Sequence, residues 1–263
     1  MTGIELCVVG GGRMGEALLG GLLAAGTDPA TISIAELVPA RRSELVERFP
    51  GVIVGDEVVA CTSGIVAVKP HDAPAAGAAL AAAGAARIMS IAAGVTLAAL
   101  RTAAGPGPAL VRAMPNTPAL VGEGATAICT EADGPNDVLG WAEGVLGGVG
   151  RVVRLPESAL DAVTGLSGSG PAYVFLVAEA LVDAGVLAGL ARPVAEELAH
   201  QTLLGSARLL VDGEASAAEL RAQVTSPGGT TAAGLRELER GGVRAAVIDA
   251  VVAATERSRQ LGS

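Results

Sequence analysis

The chain has 263 residues, 51% of them apolar but only 2% aromatic, and carries a net charge of −9. That length suits one large domain or two modest ones built on Ala, Val and Leu. The acidity argues against a nucleic-acid partner, which needs a basic surface, and glycine, proline and charges interrupt the apolar runs, so no membrane span is expected.

Residues 4–9 form an apolar run of strand length, and residues 16–25 read as a helix. Between them Gly10, Gly12 and Gly15 fit G-x-G-x-x-G. That spacing gives a tight turn, close approach of a pyrophosphate and close helix–strand packing, and its place between strand and helix makes dinucleotide binding the expected role. A second strand, 32–35, ends at Glu36. An acid there hydrogen-bonds the adenosine ribose 2′-hydroxyl, which suits NAD. Arg41 and Arg42 follow and could instead hold the 2′-phosphate of NADP, or simply open a solvated helix, so the residues leave NADH and NADPH both open. Residues 52–54 and 65–68 are the next strands, and the second runs into Lys69-Pro70-His71. Ligands bind beyond the carboxyl ends of strands in such sheets, so Lys69, the only lysine, is expected near the cofactor. His71 is read as a surface residue. Residues 88–92 form a strand ending in Ala93-Gly94, small enough for a nicotinamide to lie against the backbone. A strand at 110–112 leads into Ala113-Met114-Pro115-Asn116-Thr117-Pro118, a rigid loop. Strands at 126–129 and 151–153 complete a sheet expected to be parallel and doubly wound.

From about Pro156 no strand is expected. Helices are predicted over 172–184, with Ser169 as cap and Pro171 in the first turn, and from Pro193 to about 210. Ser216 and Glu219 have capping-box spacing for a short helix. Thr225-Ser226-Pro227-Gly228-Gly229-Thr230-Thr231 then precedes a helix over 232–240, and a last helix runs over 243–260. The N–H groups of Gly229, Thr230 and Thr231 at a helix start, flanked by the hydroxyls of Thr225, Ser226, Thr230 and Thr231, suit a small carboxylate; an ordinary capped helix start fits this stretch equally. Residues 174–190 are apolar on more than one side, which predicts a partner subunit or cover by the first domain. Cys7, Cys61 and Cys129 lie far apart without a C-x-x-C pair, and no leader opens the chain, so free thiols and a cytoplasmic location are expected.

The motifs in order are Gly10 to Gly15, Val68-Lys69-Pro70, Ser90 to Val95, Arg112 to Pro118, Asp161 to Tyr173 and Val224 to Gly234. On these, over nearly its whole length, the chain resembles the pyrroline-5-carboxylate reductase family. The resemblance implies an α/β Rossmann-type doubly wound sheet over residues 1–155, followed by an all-α dimerisation domain over 156–263. It implies NADPH or NADH held by Gly10, Gly12, Arg13, Met14, Glu36, Arg41, Arg42, Val68, Lys69, Pro70, Ala92 and Ala93, with Gln223 approaching the nicotinamide. No metal is implied. The carboxylate of 1-pyrroline-5-carboxylate would be held by the N–H groups of Gly229, Thr230 and Thr231 with help from Ser226, and the Thr231 hydroxyl would sit near the ring nitrogen as the catalytic group. Glu157 and Glu214 fall where the family has acids near the substrate. Interlocking helices imply a homodimer, with dimers assembling into a decamer, and a site shared between the cofactor of one subunit and the helical domain of its partner. Gly11 and Glu36 depart from the family pattern and put the usual NADPH preference in doubt. Reduction of a cyclic imine needs a hydride and a proton, little acid catalysis, and mainly positioning and exclusion of water. A β-hydroxyacid dehydrogenase would need a lysine after Gly168-Ser169-Gly170, and none follows. A non-catalytic dinucleotide-binding protein and a reductase of larger cyclic imines are the other readings.

Overall fold

The structure, a computed structural model, describes residues 3–132, 134 and 136–262. Two compact units make up the chain, Met1–Ser169 with Val252–Ser263, and Gly170–Val251. In the first, β1 (Leu6–Val9), β2 (Ile32–Ala35), β3 (Ile53–Gly55), β4 (Ser63–Val66), β5 (Arg87–Ser90), β6 (Ala109–Met114), β7 (Gly124–Thr130) and β8 (Gly150–Arg154) form one sheet in the order β3-β2-β1-β4-β5-β6-β7-β8. Helices α1 (Arg13–Ala24), α2 (Pro39–Arg48), α3 (Ala73–Ala82), α4 (Leu97–Ala104) and α5 (Asn136–Gly147) connect its parallel strands. This is the doubly wound architecture expected from the sequence. The strand order reverses between β1 and β4, which opens a crevice at their carboxyl ends.

The expectation of a parallel sheet fails at one pair. β6 and β7 run antiparallel, with Ala113 opposite Ile128. Only residues 115–123, including a 3₁₀ turn over Thr117–Val121, lie between them. A parallel crossover needs about a dozen residues or more, so the chain reverses instead. The strand expected over 65–68 occupies Ser63–Val66, which leaves Ala67 and Val68 in the loop at the crevice.

Ile34, Val8, Ile65, Met89 and Val111 stand in one row across the sheet. They are buried under Leu18 and Leu19 of α1 and Leu146 of α5. Successive side chains point to opposite faces, so Cys7, Val66, Ile88 and Leu110 fill the other face with Leu80 and Leu100 of α3 and α4. Burying each large side chain stabilises the fold by roughly 1.5–3 kcal/mol, and cover on both faces explains strands without polar alternation. All three cysteines are buried and unpaired.

The first unit continues with α6 (Leu160–Val163) and a π-turn over Thr164–Gly168. Ser169 does not cap the start of the next helix: its backbone is right-handed helical and its N–H donates to the Thr164 carbonyl at 2.8 Å, closing the π-turn instead. The second unit comprises α7 (Gly170–Leu187), α8 (Arg192–Asp212), α9 (Ala217–Gln223), α10 (Thr230–Arg240) and the opening of α11 (Val243–Leu261). The capping box forms as expected, Ser216 N–H donating to Glu219 at 2.8 Å and Glu219 N–H to Ser216 at 3.3 Å. Contrary to expectation, one helix among the described residues, Glu157–Leu187, is long and apolar enough by length and composition to cross a membrane. Gly168, Gly170 and Pro171 lie inside that helical run and do not end it.

Candidate cofactor and substrate sites

The glycine loop leads from β1 into α1. A Cβ at Gly10 would lie 2.7 Å from the Ala67 carbonyl oxygen, and one at Gly15 would lie 2.3 Å from the Gly10 carbonyl oxygen. Only glycine permits this packing of the loop, the helix and the segment after β4. At Gly12, by contrast, a Cβ would meet nothing within 4 Å, and no side chain caps the helix start. The open side, with uncapped N–H groups behind it, fits a pyrophosphate. Arg13 is exposed there, whereas Met14 packs partly buried against the core.

The β2–α2 turn is bound tightly to this loop. Glu36 accepts from Gly11 N–H at 2.8 Å and from Val38 N–H at 2.9 Å. Arg41 Nε donates to the Gly11 carbonyl at 2.6 Å, and its guanidinium pairs with Glu44 and with the buried Glu16. The hydrogen bonds it donates to Glu44 and then to Glu16 raise the Arg41 pKa above its ordinary value. Arg42 Nη1 donates to the Glu36 and Leu37 carbonyls at 2.8 and 2.9 Å. The arginines are therefore neither a solvated helix start nor an open phosphate clamp.

After β4, Val68 is half-buried while Lys69 and Pro70 are exposed, and Pro70 opens a 3₁₀ turn. His71 is exposed beside Asp72, as expected. Beyond β5, Ala92 is buried in the core, its N–H donating to Ser90 Oγ at 3.2 Å, so only Ala93 presents an open surface. Glu157 is occupied within the first unit: its Oε1 accepts from Leu97 N–H, at the start of α4, at 2.8 Å and from the buried Arg112 at 3.0 Å. Asn116, quoted in a motif but given no role from sequence, links three segments. Its Oδ1 accepts from Ala125 N–H at 2.8 Å, and its Nδ2 donates to the Ser167 carbonyl of the π-turn at 3.0 Å. Its place between two prolines was the available signal.

In the helical unit Ser226-Pro227-Gly228-Gly229 is a tight turn with Gly228 at φ +71°, the geometry that proline at its second position and glycine at its third favour. The Gly229 N–H donates to the Ser226 carbonyl at 3.0 Å and is not available for a ligand, which corrects its expected role. Thr225 Oγ1 likewise donates to Arg221 at 2.6 Å. Thr230 and Thr231 begin α10, so their N–H groups have no intrahelical acceptor, and no side chain caps them. Ser226 Oγ lies 2.4 Å from where a Gly229 Cβ would be, so glycine at 229 leaves room for the hydroxyl over the turn. Gln223, ending α9, and Glu214, between α8 and α9, are exposed.

A dinucleotide cradle at the switch point of a doubly wound sheet, joined to a helical unit with an anion-ready turn, defines a two-part nicotinamide-dependent oxidoreductase. The family model for pyrroline-5-carboxylate reductase dimerisation matches residues 157–261, and the NADP oxidoreductase, coenzyme F420-dependent model matches residues 5–94. The pyrroline-5-carboxylate reductase of Mycobacterium tuberculosis is 45% identical, over 98% of this chain and 96% of its own. The solved reductase of Coxiella burnetii is 34% identical with a TM-score of 0.91, covering 98% of both chains. That of Plasmodium falciparum, solved with NADP bound, is 30% identical with a TM-score of 0.86, covering 100% of both. The chain belongs to the pyrroline-5-carboxylate reductase family.

Proposed function

We infer that the chain reduces 1-pyrroline-5-carboxylate to L-proline with NADH or NADPH, the closing step of proline synthesis. The observation that carries this reading, within the family assignment, is the start of α10, which offers the N–H groups of Thr230 and Thr231 and the Thr231 hydroxyl together. A bound nicotinamide supplies a hydride from C4 to the imine carbon. The Thr230 and Thr231 N–H groups and the Ser226 hydroxyl hold the carboxylate, and the Thr231 hydroxyl orients the ring nitrogen, which carries the proton as iminium. Glu214 and Gln223 complete the contacts to substrate and nicotinamide. Glu157 acts as a positioning residue through Arg112 and the start of α4. On the cofactor side Gly10, Gly12 and Arg13 receive the pyrophosphate, with Val68, Lys69, Pro70 and Ala93 toward the nicotinamide.

The dimerisation domain makes the homodimer the working unit, and dimers assembling into a decamer are our reading of the resemblance. The partner chain is the cover we assign to the apolar helix Glu157–Leu187. The unpaired cysteines fit a reducing, cytoplasmic compartment, and the net charge of −9 supports the absence of a nucleic-acid partner. Initial-rate oxidation of NADH and of NADPH with racemic 1-pyrroline-5-carboxylate, with proline as product, tests the reaction. Thr231→Ala should lose most turnover and keep its affinity for reduced cofactor. Unchanged turnover would remove Thr231 from the mechanism.

A further inference from the structure

We propose that the β2–α2 turn selects NADH over NADPH, with Glu36 as the determinant and Gly11 as its obligatory partner. The proposal rests on the reading of the first unit as a nicotinamide-dinucleotide site. Both Glu36 oxygens are fixed by backbone donors, Gly11 N–H at 2.8 Å and Val38 N–H at 2.9 Å. A carboxylate anchored at the end of β2 accepts from a ribose 2′-hydroxyl and repels a 2′-phosphate.

The arginines that could offset that repulsion are engaged elsewhere. Arg41 lies between the Gly11 carbonyl, Glu44 and the buried Glu16, which also pairs with Arg48. Arg42 holds the Glu36 and Leu37 carbonyls and stands 3.7 Å from Asp56. Turning either toward a phosphate would strip acceptors of their donors. Arg13 and Lys69 are exposed at the start of α1 and after β4, not on this turn.

Gly11 joins the two halves of the device, its N–H given to Glu36 and its carbonyl to Arg41. A Cβ there would lie 2.5 Å from Leu45 Cδ1 and 3.1 Å from Glu36 Oε2. A side chain at this position would meet Leu45 first and crowd the carboxylate that reads the ribose. Gly11 and Glu36 thus form one structural unit.

Calorimetric titration with NADH and with NADPH gives the affinity ratio directly, and initial rates with 1-pyrroline-5-carboxylate are measured on the same preparations. The unmodified protein should bind NADH at least roughly tenfold more tightly than NADPH. Glu36→Gln keeps an acceptor for Gly11 N–H but removes the charge, and should bring the two affinities within about threefold of each other by tightening NADPH. Arg41→Ala should weaken both cofactors by the same factor, through the loop. Equal or tighter binding of NADPH by the unmodified protein overturns the proposal, as does an Arg41→Ala variant that loses NADPH alone. Cofactor binding without imine-dependent oxidation would instead sink the reductase reading, with selectivity still decided by the two affinities.

Discussion

In the first unit Leu18, Ile65 and Leu110 are fully buried, whereas in the helical unit Phe175 is 62%, Leu187 90% and Ile248 62% exposed. The buried hydrophobic cluster of that second unit, among the described residues, is Val182, Ala195 and Ala199 with Val186 against them. A groove of about 410 Å³ between α7 and α8, lined by Phe175, Val182, Arg192 and His200, is open beside it. A sheet covered on both faces completes its own core. The helical unit leaves apolar side chains of α7, α8 and α11 exposed, which suits a dimerisation domain. One chain therefore combines a unit with a core of its own and a helical unit whose apolar faces are left exposed.

The sharpest way to break this contrast is a charge on an apolar face of α11. Ile248→Glu would shift stability by about 0.5 kcal/mol or less at a true surface position. At a subunit interface it should cost several kcal/mol, so the variant should elute as a monomer in light-scattering chromatography and lose imine reduction. Retained oligomers would remove α11 from the interface. Next in size, Leu18→Ala should destabilise the first unit by about 3 kcal/mol in denaturant melts while leaving the oligomer unchanged. Glu157→Ala leaves the Arg112 guanidinium and the Leu97 N–H without their shared acceptor, and about 1–3 kcal/mol of stability should go with it. The smallest effect concerns Glu131, whose carboxyl the Arg101 hydrogen bond holds below its ordinary range. Its folded pKa is depressed, so its contribution is present at neutral pH and lost as pH falls through the folded value. Glu131→Gln should cost less than about 1 kcal/mol near pH 7, and the difference should shrink as pH falls below the ordinary carboxyl range and vanish only below the depressed folded value. A difference that persists in acid would show the ion pair to be irrelevant.

Much of the first unit was legible because it follows local rules. The glycine spacing and the apolar runs define β1, α1 and the switch point without tertiary information. The reversal at β7 was legible in principle, since residues 115–123 are too short for a crossover, but the strand composition carries no sign of direction. In the helical unit Ser226-Pro227-Gly228-Gly229 spells a turn whose closing bond consumes the Gly229 N–H, a signal that anion binding overshadowed. The engagement of Glu36, Arg41 and Glu157 was not legible. Each depends on which of several donors or acceptors a long side chain meets across 25 or more positions of chain. Ser169 failed as a cap because the preceding π-turn keeps the backbone helical, and no residue type announces that.

The closing turns of α11 return to the first unit, where Ser258 donates to Asp161 at 2.7 Å and Leu261 lies against Gly94. Residues 252–261 leave the ribosome only after the whole helical unit has been made. The nucleotide-binding fold thus waits for its last piece until the segment that recruits a second chain has already emerged.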